Sequence, residues 1–217
     1  MVIVSLKTEG AGAPSADKQS RIELSDGSLF SFRNCYLPPE MISVYSGPNN
    51  GNTNGAEITA FEEAAFRHAS ACLRTEKTAL RLIARAEQCT AGICRKLEKR
   101  GHEAACVKAV IERLCSLRLL DDSRFARLWL ESRIRLPRSP RRLLIALCSR
   151  GIDREDGEAA LKEVLDDEAE YALLRRFAKK LTRKKKKNDG GTSRPLKYIL
   201  KNEGFSYSVI QRFIDSL

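Results

Sequence analysis

Apolar positions recur at helical spacing in three separate stretches of the chain, and a glycine interrupts each stretch. The glycines are Gly101, Gly151 and Gly204, which lie 50 and 53 residues apart. A leucine stands four residues before each glycine, and a second aliphatic residue stands eight before it. The pairs are Ile93 and Leu97, Leu143 and Leu147, and Leu196 and Leu200. Because positions i and i+4 share one helix face, the pattern predicts a helix before each glycine.

Apolar residues also follow each glycine, at offsets of nine, ten and thirteen residues, and they predict a second helix. The positions are Val110, Ile111 and Leu114; Ala160, Leu161 and Val164; and Phe213, Ile214 and Leu217. Each glycine fits the left-handed position just beyond a helix end, where a Cβ atom would be strained. Ser139 and Pro140 are typical of an N-cap followed by a first-turn proline.

A third helix is predicted before each of these pairs. Its apolar positions are Ala79, Leu80, Ile83 and Ala86 in the first copy; Phe125, Leu128, Trp129 and Ser132 in the second; and Tyr171, Leu174, Phe177, Ala178 and Leu181 in the third. The chain is therefore predicted to be all-α. Its three tandem three-helix units (58–120, 121–165 and 166–217) are expected to stack into an elongated, curved body.

Residues 1–57 follow a different pattern and are predicted to form a small β-hairpin extension with a flexible linker. Residues 22–32 alternate apolar and polar positions around Asp26 and Gly27, which is typical of a hairpin. Residues 46–55 are rich in Gly and Asn. Thr59 with Glu62 predicts a capping box that opens a helix with apolar positions at Phe61, Ala65, Phe66 and Ala69. We expect the hairpin either to dock on a neighbour or to stay mobile, and its deletion to leave the helices folded.

The charge of the chain is concentrated in the repeated part. Residues 1–75 carry 6 Lys/Arg and 8 Asp/Glu, whereas residues 76–217 carry 33 and 20. This excess favours a polyanionic partner, such as nucleic acid. The seven cysteines form no Cys-x-x-Cys pair, and neither a signal peptide nor a membrane-spanning segment is evident. We therefore expect a cytoplasmic protein that does not bind membranes, and a monomer.

Two basic clusters lie where the predicted helices are joined. The first surrounds residues 136–139, and the second extends into the segment TRKKKKNDGG. Arginines beside a helix start suit phosphate oxygens, so we expect these clusters to contact DNA or an acidic partner. A solvated surface is the alternative. The candidate residues are Arg133, Arg135, Arg138, Arg141, Arg142, Lys180, Arg183, Lys184, Lys185, Lys186 and Lys187.

Signatures of enzymes are missing from the chain. It has neither a phosphate-binding GxxxxGK[ST] loop nor a GxGxxG turn after a strand, and His68 and His102 are its only histidines. Cys89, Cys94, His102 and Cys106 do not have the spacing of a usual zinc site. We therefore expect no catalysis, no cofactor and no metal.

Three segments resemble the RecX family, the regulators of the bacterial RecA recombinase. They are ALRLIARAEQCTAGICRKLEKRG (79–101), RLLDDSRFA (118–126) and PRRLLIALCSRGID (140–153). The resemblance covers about residues 59–165 well and the third copy loosely. It implies a protein without chemistry of its own, which lies in the groove of the RecA–DNA filament and suppresses ATPase and strand-exchange activity.

Two other functions remain open from the residues alone. The chain is also consistent with a direct DNA-binding protein that uses helix-turn-helix-like units on single- or double-stranded DNA. A third alternative is a helical scaffold for unrelated acidic proteins.

Overall fold

The computed structural model describes residues 1–9, 14, 17–45, 55–185 and 195–217, except for the side chains of residues 182–185. These residues form three strands and ten α-helices. The elements are β1 (Ile3–Glu9), β2 (Gln19–Leu24), β3 (Leu29–Arg33), α1 (Pro39–Tyr45), α2 (Ala60–Ile83), α3 (Thr90–Glu98), α4 (Ala104–Ser116), α5 (Asp122–Arg133), α6 (Pro140–Cys148), α7 (Arg154–Val164), α8 (Asp167–Lys185), α9 (Leu196–Asn202) and α10 (Tyr207–Asp215).

The predicted fold class is confirmed: the chain is mostly helical and carries a small antiparallel sheet near its N-terminus. The described residues divide into two compact units. Unit 1 contains Met1–Ala86 and Ile93–Leu120, and unit 2 contains Glu87–Gly92 and Asp121–Leu217. The finer division into three-helix repeats stays a prediction.

The N-terminal sheet has one strand more than the predicted hairpin. The hairpin itself is correct, since β2 and β3 pair antiparallel with Ile22 opposite Phe30. The added strand, β1, pairs antiparallel with the other edge of β2. Only Ile3 of β1 is buried, so the strand lacks the clear alternation that would have predicted it. Residues 46–54 of the predicted linker lie outside the described residues.

The sheet shares a hydrophobic core with α2, so it docks on a neighbour. Phe32 and Phe66 are fully buried, and their rings stack with centroids 5.4 Å apart. Ile22, Leu24 and Phe30 pack in the same cluster. This shared core argues against the expectation that deleting residues 1–57 leaves the helices folded, because the deletion would expose the apolar face of α2.

Helix α2 is a single helix of 24 residues where the sequence pattern suggested two separate segments. Its capping box is present as predicted: the Glu62 N–H donates to Thr59 Oγ1 at 3.2 Å, and the Thr59 N–H donates to the Glu62 carboxylate at 2.8 Å. The buried face runs through Glu76, which is only 2% exposed and breaks the apolar pattern. Phe61, predicted on this face, is 67% exposed.

The three glycines end α3, α6 and α9 as predicted, with φ values of +79°, +92° and +85°. The residue after each glycine closes the helix by donating its N–H to the carbonyl of the buried leucine five residues earlier. The bonds are His102 to Leu97 (3.2 Å), Ile152 to Leu147 (3.3 Å) and Phe205 to Leu200 (3.3 Å). This geometry is the Schellman motif, and each leucine is 0% exposed.

Two predicted apolar faces need correction. In α5, Leu128 is 43% exposed and Ser132 is exposed, whereas Ala126 and Leu130 form the buried face. Phe125 and Trp129 pack partly buried beside them. In α10, Leu217 lies beyond the helix end and is 82% exposed, whereas Val209, Ile210 and Phe213 form the buried face.

Candidate nucleic-acid and partner interface

The loop between α5 and α6 is held in place at both ends, although it is rich in arginine. At its start, the Leu136 N–H donates to the Arg133 carbonyl at 2.9 Å. At its end, Ser139 is fully buried, and its hydroxyl accepts a hydrogen bond from the Arg142 N–H at 3.4 Å. Pro140 occupies the first position of α6. The local sequence therefore fixes the backbone that carries the predicted basic cluster.

Arg135 and Arg138 are the exposed arginines of this loop. Within the described part of the chain, neither guanidinium forms a hydrogen bond or an ion pair. Their five N–H donors each are therefore available to an external phosphate or carboxylate.

Arg141 and Arg142 are also exposed, but they have internal partners at the turn between α9 and α10. The Arg141 guanidinium donates to the Asn202 carbonyl at 3.2 Å, and its backbone N–H donates to the Glu203 carbonyl at 3.0 Å. Arg142 Nε lies 3.5 Å from the Glu203 carboxylate, which also accepts the Ser139 hydroxyl. The first backbone N–H groups of α6, those of Arg141 and Arg142, are thus already used inside the protein.

Arg133 is half-buried and packs beside the single tryptophan of the chain. Its guanidinium lies 5.8 Å from the centre of the Trp129 ring, and that of Arg150 lies 4.6 Å from the same centre. Both distances are typical of cation–π contacts. The Nε atom of Arg133 is buried without a hydrogen-bond partner. Among the predicted residues, Arg133 is therefore the one most engaged in packing.

Helix α8 carries a second set of basic residues on its solvent-exposed face. Arg175, Arg176, Lys179 and Lys180 are exposed, and they repeat at i and i+4. Leu173, Leu174, Phe177 and Ala178 form the opposite, buried face. The acidic residues of α8 lie in its first turn, where they complement the helix dipole.

The structure brings the two basic sets next to each other within unit 2. The Arg176 guanidinium donates to the Ile134 carbonyl at 2.8 Å, between Arg133 and Arg135. Sequence reasoning missed Arg175 and Arg176, although their spacing from Lys179 and Lys180 marks one helix face. We call Arg135, Arg138, Arg175, Arg176, Lys179 and Lys180 the basic surface.

The side chains of five predicted residues are not described, so these residues cannot be assigned to the basic surface. Arg183, Lys184 and Lys185 lie in the last turn of α8, where only the backbone is described. Lys186 and Lys187 lie outside the described residues. Their part in the interface stays a prediction.

The four residues weighed as zinc ligands are not brought together. His102 Nδ1 lies 2.8 Å from the Thr75 hydroxyl, and Cys89 contributes to the core of unit 2. Cys106 belongs to unit 1 and lies beside His68 instead.

In the part of the chain that the structure describes, no helix has the length and apolar character needed to cross a bilayer.

The fold and the site define a class of helical proteins in which helix–glycine–helix modules carry an exposed basic face. The family model for the second three-helix domain of RecX matches residues 121–161, which cover α5 to most of α7. The regulatory protein RecX of Treponema pallidum (strain Nichols) is 35% identical over 159 residues. This match covers 73% of the chain and 94% of the relative. The chain belongs to the RecX family.

Further relatives and solved structures agree with this assignment. The regulatory protein RecX of Halorhodospira halophila is 37% identical over 89 residues, which cover 41% of this chain and 53% of that relative. A crystal structure of a regulatory protein RecX superposes with a TM-score of 0.67 at 21% identity, covering 99% of this chain and 98% of that one. RecX from Lactobacillus salivarius gives a TM-score of 0.53 at 22% identity, over 69% and 97% of the two chains. The relatives are named regulatory proteins rather than enzymes.

Proposed function

We propose that this protein modulates the RecA recombinase, mainly as an inhibitor that binds in the groove of the RecA–DNA filament. The observation that carries the proposal is the match to a RecX regulatory protein over 94% of its length. The proposal adds no catalytic step and no cofactor. It places the protein in the cytoplasm as a monomer, where it acts on filaments assembled on DNA.

The basic surface supplies the contacts in this proposal. A RecA–DNA filament presents phosphate groups beside protein surface, and Arg135 and Arg138 have donors without internal partners among the described residues. Lys180 adds a positive charge on the neighbouring helix face. Contacts of this kind neutralise phosphates and position a protein without reading base sequence.

Arg141 and Arg142 take a secondary place in the same proposal. Glu203 already accepts a contact from Arg142, so an incoming phosphate has to compete with an internal carboxylate. Contacts to the filament are therefore made chiefly by side chains on the α5–α6 loop and α8, and not by the backbone at the start of α6.

Inhibition follows if the protein binds one state of the filament better than another. A ligand shifts a conformational equilibrium only as far as its affinities for the two states differ. We propose that the protein prefers a filament state with low ATPase activity. ATP hydrolysis and strand exchange then decrease together as the protein binds.

The second candidate is a protein that binds DNA directly through its helix–turn–helix-like modules. The exposed, unpaired arginines of the α5–α6 loop favour this candidate as well, since they suit naked DNA phosphates equally. A scaffold for unrelated acidic proteins is the third candidate. It requires neither RecA nor DNA.

A titration of RecA separates the three candidates. DNA-dependent ATP hydrolysis by RecA is measured against increasing amounts of this protein at two salt concentrations. A filament modulator reduces hydrolysis at protein concentrations well below those that coat the naked DNA. A DNA-binding protein acts only when it saturates the DNA, with a steep salt dependence, and a scaffold has no effect in either buffer. Either of the last two results would contradict the proposal.

A further inference from the structure

Three side chains that can bind a metal ion converge in unit 1, on the facing sides of α2 and α4. His68 and Cys72 lie one turn apart on α2, and Cys106 lies on α4. One ligand atom from each residue falls within 4.8 Å of the other two. The sequence spacing of 34 residues between the two cysteines gives no hint of this arrangement.

The distances match those of a tetrahedral site. His68 Nε2 lies 3.5 Å from Cys72 Sγ, and His68 Nδ1 lies 3.7 Å from Cys106 Sγ. In a tetrahedral zinc site, sulfur and nitrogen ligands lie about 3.5–3.8 Å apart, as Zn–S and Zn–N bonds of about 2.3 and 2.0 Å require. The two sulfurs approach different nitrogens of the imidazole, so a bound ion requires the ring to rotate until one nitrogen faces both sulfurs.

A fourth ligand is within reach, and the site has an opening to solvent. The carboxylate of Glu103 lies 3.9 Å from Cys106 Sγ. Glu103 occupies the N-cap position of α4, but its side chain makes no capping hydrogen bond. His68 and Glu103 both line a surface groove of about 610 Å³, through which an ion or a water molecule can enter.

The donor set selects the kind of metal. Two thiolates and an imidazole suit Zn²⁺ and similar borderline or soft cations, whereas Ca²⁺ and Mg²⁺ require oxygen ligands. Cysteine binds a metal ion as the thiolate, so metal binding releases protons from the site.

We propose that His68, Cys72 and Cys106 form a site for a thiophilic divalent cation such as Zn²⁺, with Glu103 or a water molecule as the fourth ligand. This ion would join α2 to α4 and stabilise the packing of unit 1. The proposal is independent of any effect on RecA, and it revises the expectation from the sequence that the chain binds no metal.

Cobalt titration tests the site directly. The full chain is stripped of metal under reducing conditions and titrated with Co²⁺, whose sulfur-to-metal charge-transfer and tetrahedral d–d absorption bands report thiolate ligation. We expect one equivalent of Co²⁺ to bind and Zn²⁺ to displace it. Zn²⁺ should also raise the midpoint of thermal unfolding, because a ligand that binds only the folded state stabilises it.

Substitutions of the proposed ligands test whether these residues give rise to the Co²⁺ absorption bands. Cys106→Ser and His68→Gln should weaken Co²⁺ binding by about tenfold or more, since the loss of even an outer-shell partner has effects of this size. Cys148→Ser is the matched control, because Cys148 is an exposed cysteine of unit 2 and should leave the titration unchanged. His68 is more accessible than the two buried cysteines, so His68→Gln tests the site even if a cysteine variant fails to fold. The absence of the bands, or bands that persist in His68→Gln and Cys106→Ser, would overturn the proposal.

Discussion

Gly151 is the residue whose replacement we expect to be most costly among the glycines that end helices. Its φ of +92° is strained for any residue with a Cβ atom, and a Cβ built on it would lie 2.3 Å from the Ala91 Cβ. Gly204 has a similar φ of +85°, but its nearest neighbour, the Arg141 backbone nitrogen, would lie 3.3 Å away. An alanine would therefore strain the backbone at both positions, but only at Gly151 would its Cβ atom also collide with a neighbouring side chain.

Gly151→Ala should lower the free energy of unfolding by about 2–5 kcal/mol, from left-handed strain of about 1–2 kcal/mol and overpacking of about 1–3 kcal/mol. Gly204→Ala serves as the control and should cost about 1–2 kcal/mol, because it adds mainly the strain. Urea unfolding followed by the fluorescence of Trp129 measures both, since all three residues belong to unit 2. Equal midpoints for the two variants would contradict the close approach of Gly151 to Ala91.

Single residues were predicted well where their backbone geometry was special and less well where only apolar character guided the prediction. The spacing of Gly101, Gly151 and Gly204 identified three helix ends because few other residues tolerate a positive φ. Phe61 and Leu217 were predicted as buried from helical spacing and are exposed. The spacing of apolar residues defines a helix face but not which neighbour covers it.

At the scale of elements, a buried ion-pair cluster connects the sheet to the helices of unit 1. Glu76 of α2 is 2% exposed and accepts a hydrogen bond from Arg33 Nε, at the end of β3, at 3.0 Å. Arg113 of α4 lies 3.5 Å from the other Glu76 oxygen and 2.7 Å from the Asp17 carboxylate. The two arginines compensate the charge of the buried Glu76 carboxylate, which interrupts the apolar face of α2.

Arg33→Met should destabilise unit 1 by about 2–4 kcal/mol, because it leaves the buried Glu76 carboxylate with only the longer contact to Arg113. Arg67→Met is the matched control. Arg67 is exposed and its partner Glu63 lies one turn away on the same helix, and such pairs contribute at most about 0.5 kcal/mol. Urea unfolding followed by far-ultraviolet circular dichroism measures the difference. Equal effects of the two substitutions would mean that the β3–α2 ion pair does not support the fold.

The boundaries of elements depended on contacts that are distant in sequence. The start of α3 lacks a strong N-cap of its own, and Asp122 supplies one by accepting the Thr90 N–H at 2.7 Å. Strand β1 could not be predicted because its pairing with β2, and not its own pattern, defines it. In contrast, the Thr59–Glu62 capping box and the helix-ending glycines depend on local sequence, so they were predicted correctly.

At the scale of the whole molecule, composition indicated the positive charge of the surface but not how its arginines are arranged. The basic excess of residues 76–217 and the arginines of the α5–α6 loop were evident in the sequence. The contacts of Arg141 and Arg142 with the α9–α10 turn were not evident in the sequence, because Glu203 lies more than sixty residues away along the chain. The approach of α8 to the loop through Arg176 also required the fold.

The central claim is that Arg135 and Arg138 contact the RecA–DNA filament. The direct test compares inhibition of RecA ATPase by two double variants with the same loss of charge. One is Arg135→Ala with Arg138→Ala. The control is Arg127→Ala with Arg154→Ala, whose arginines in unit 2 pair internally with Glu163 and Glu158.

We expect the first variant to require about tenfold more protein for half-maximal inhibition, because it loses two charge-assisted contacts to phosphate or carboxylate groups. The control should inhibit as the unmodified protein does, and both variants should keep the same helix content by circular dichroism. Indistinguishable inhibition curves for the two folded double variants would contradict the assignment of the basic surface to filament binding.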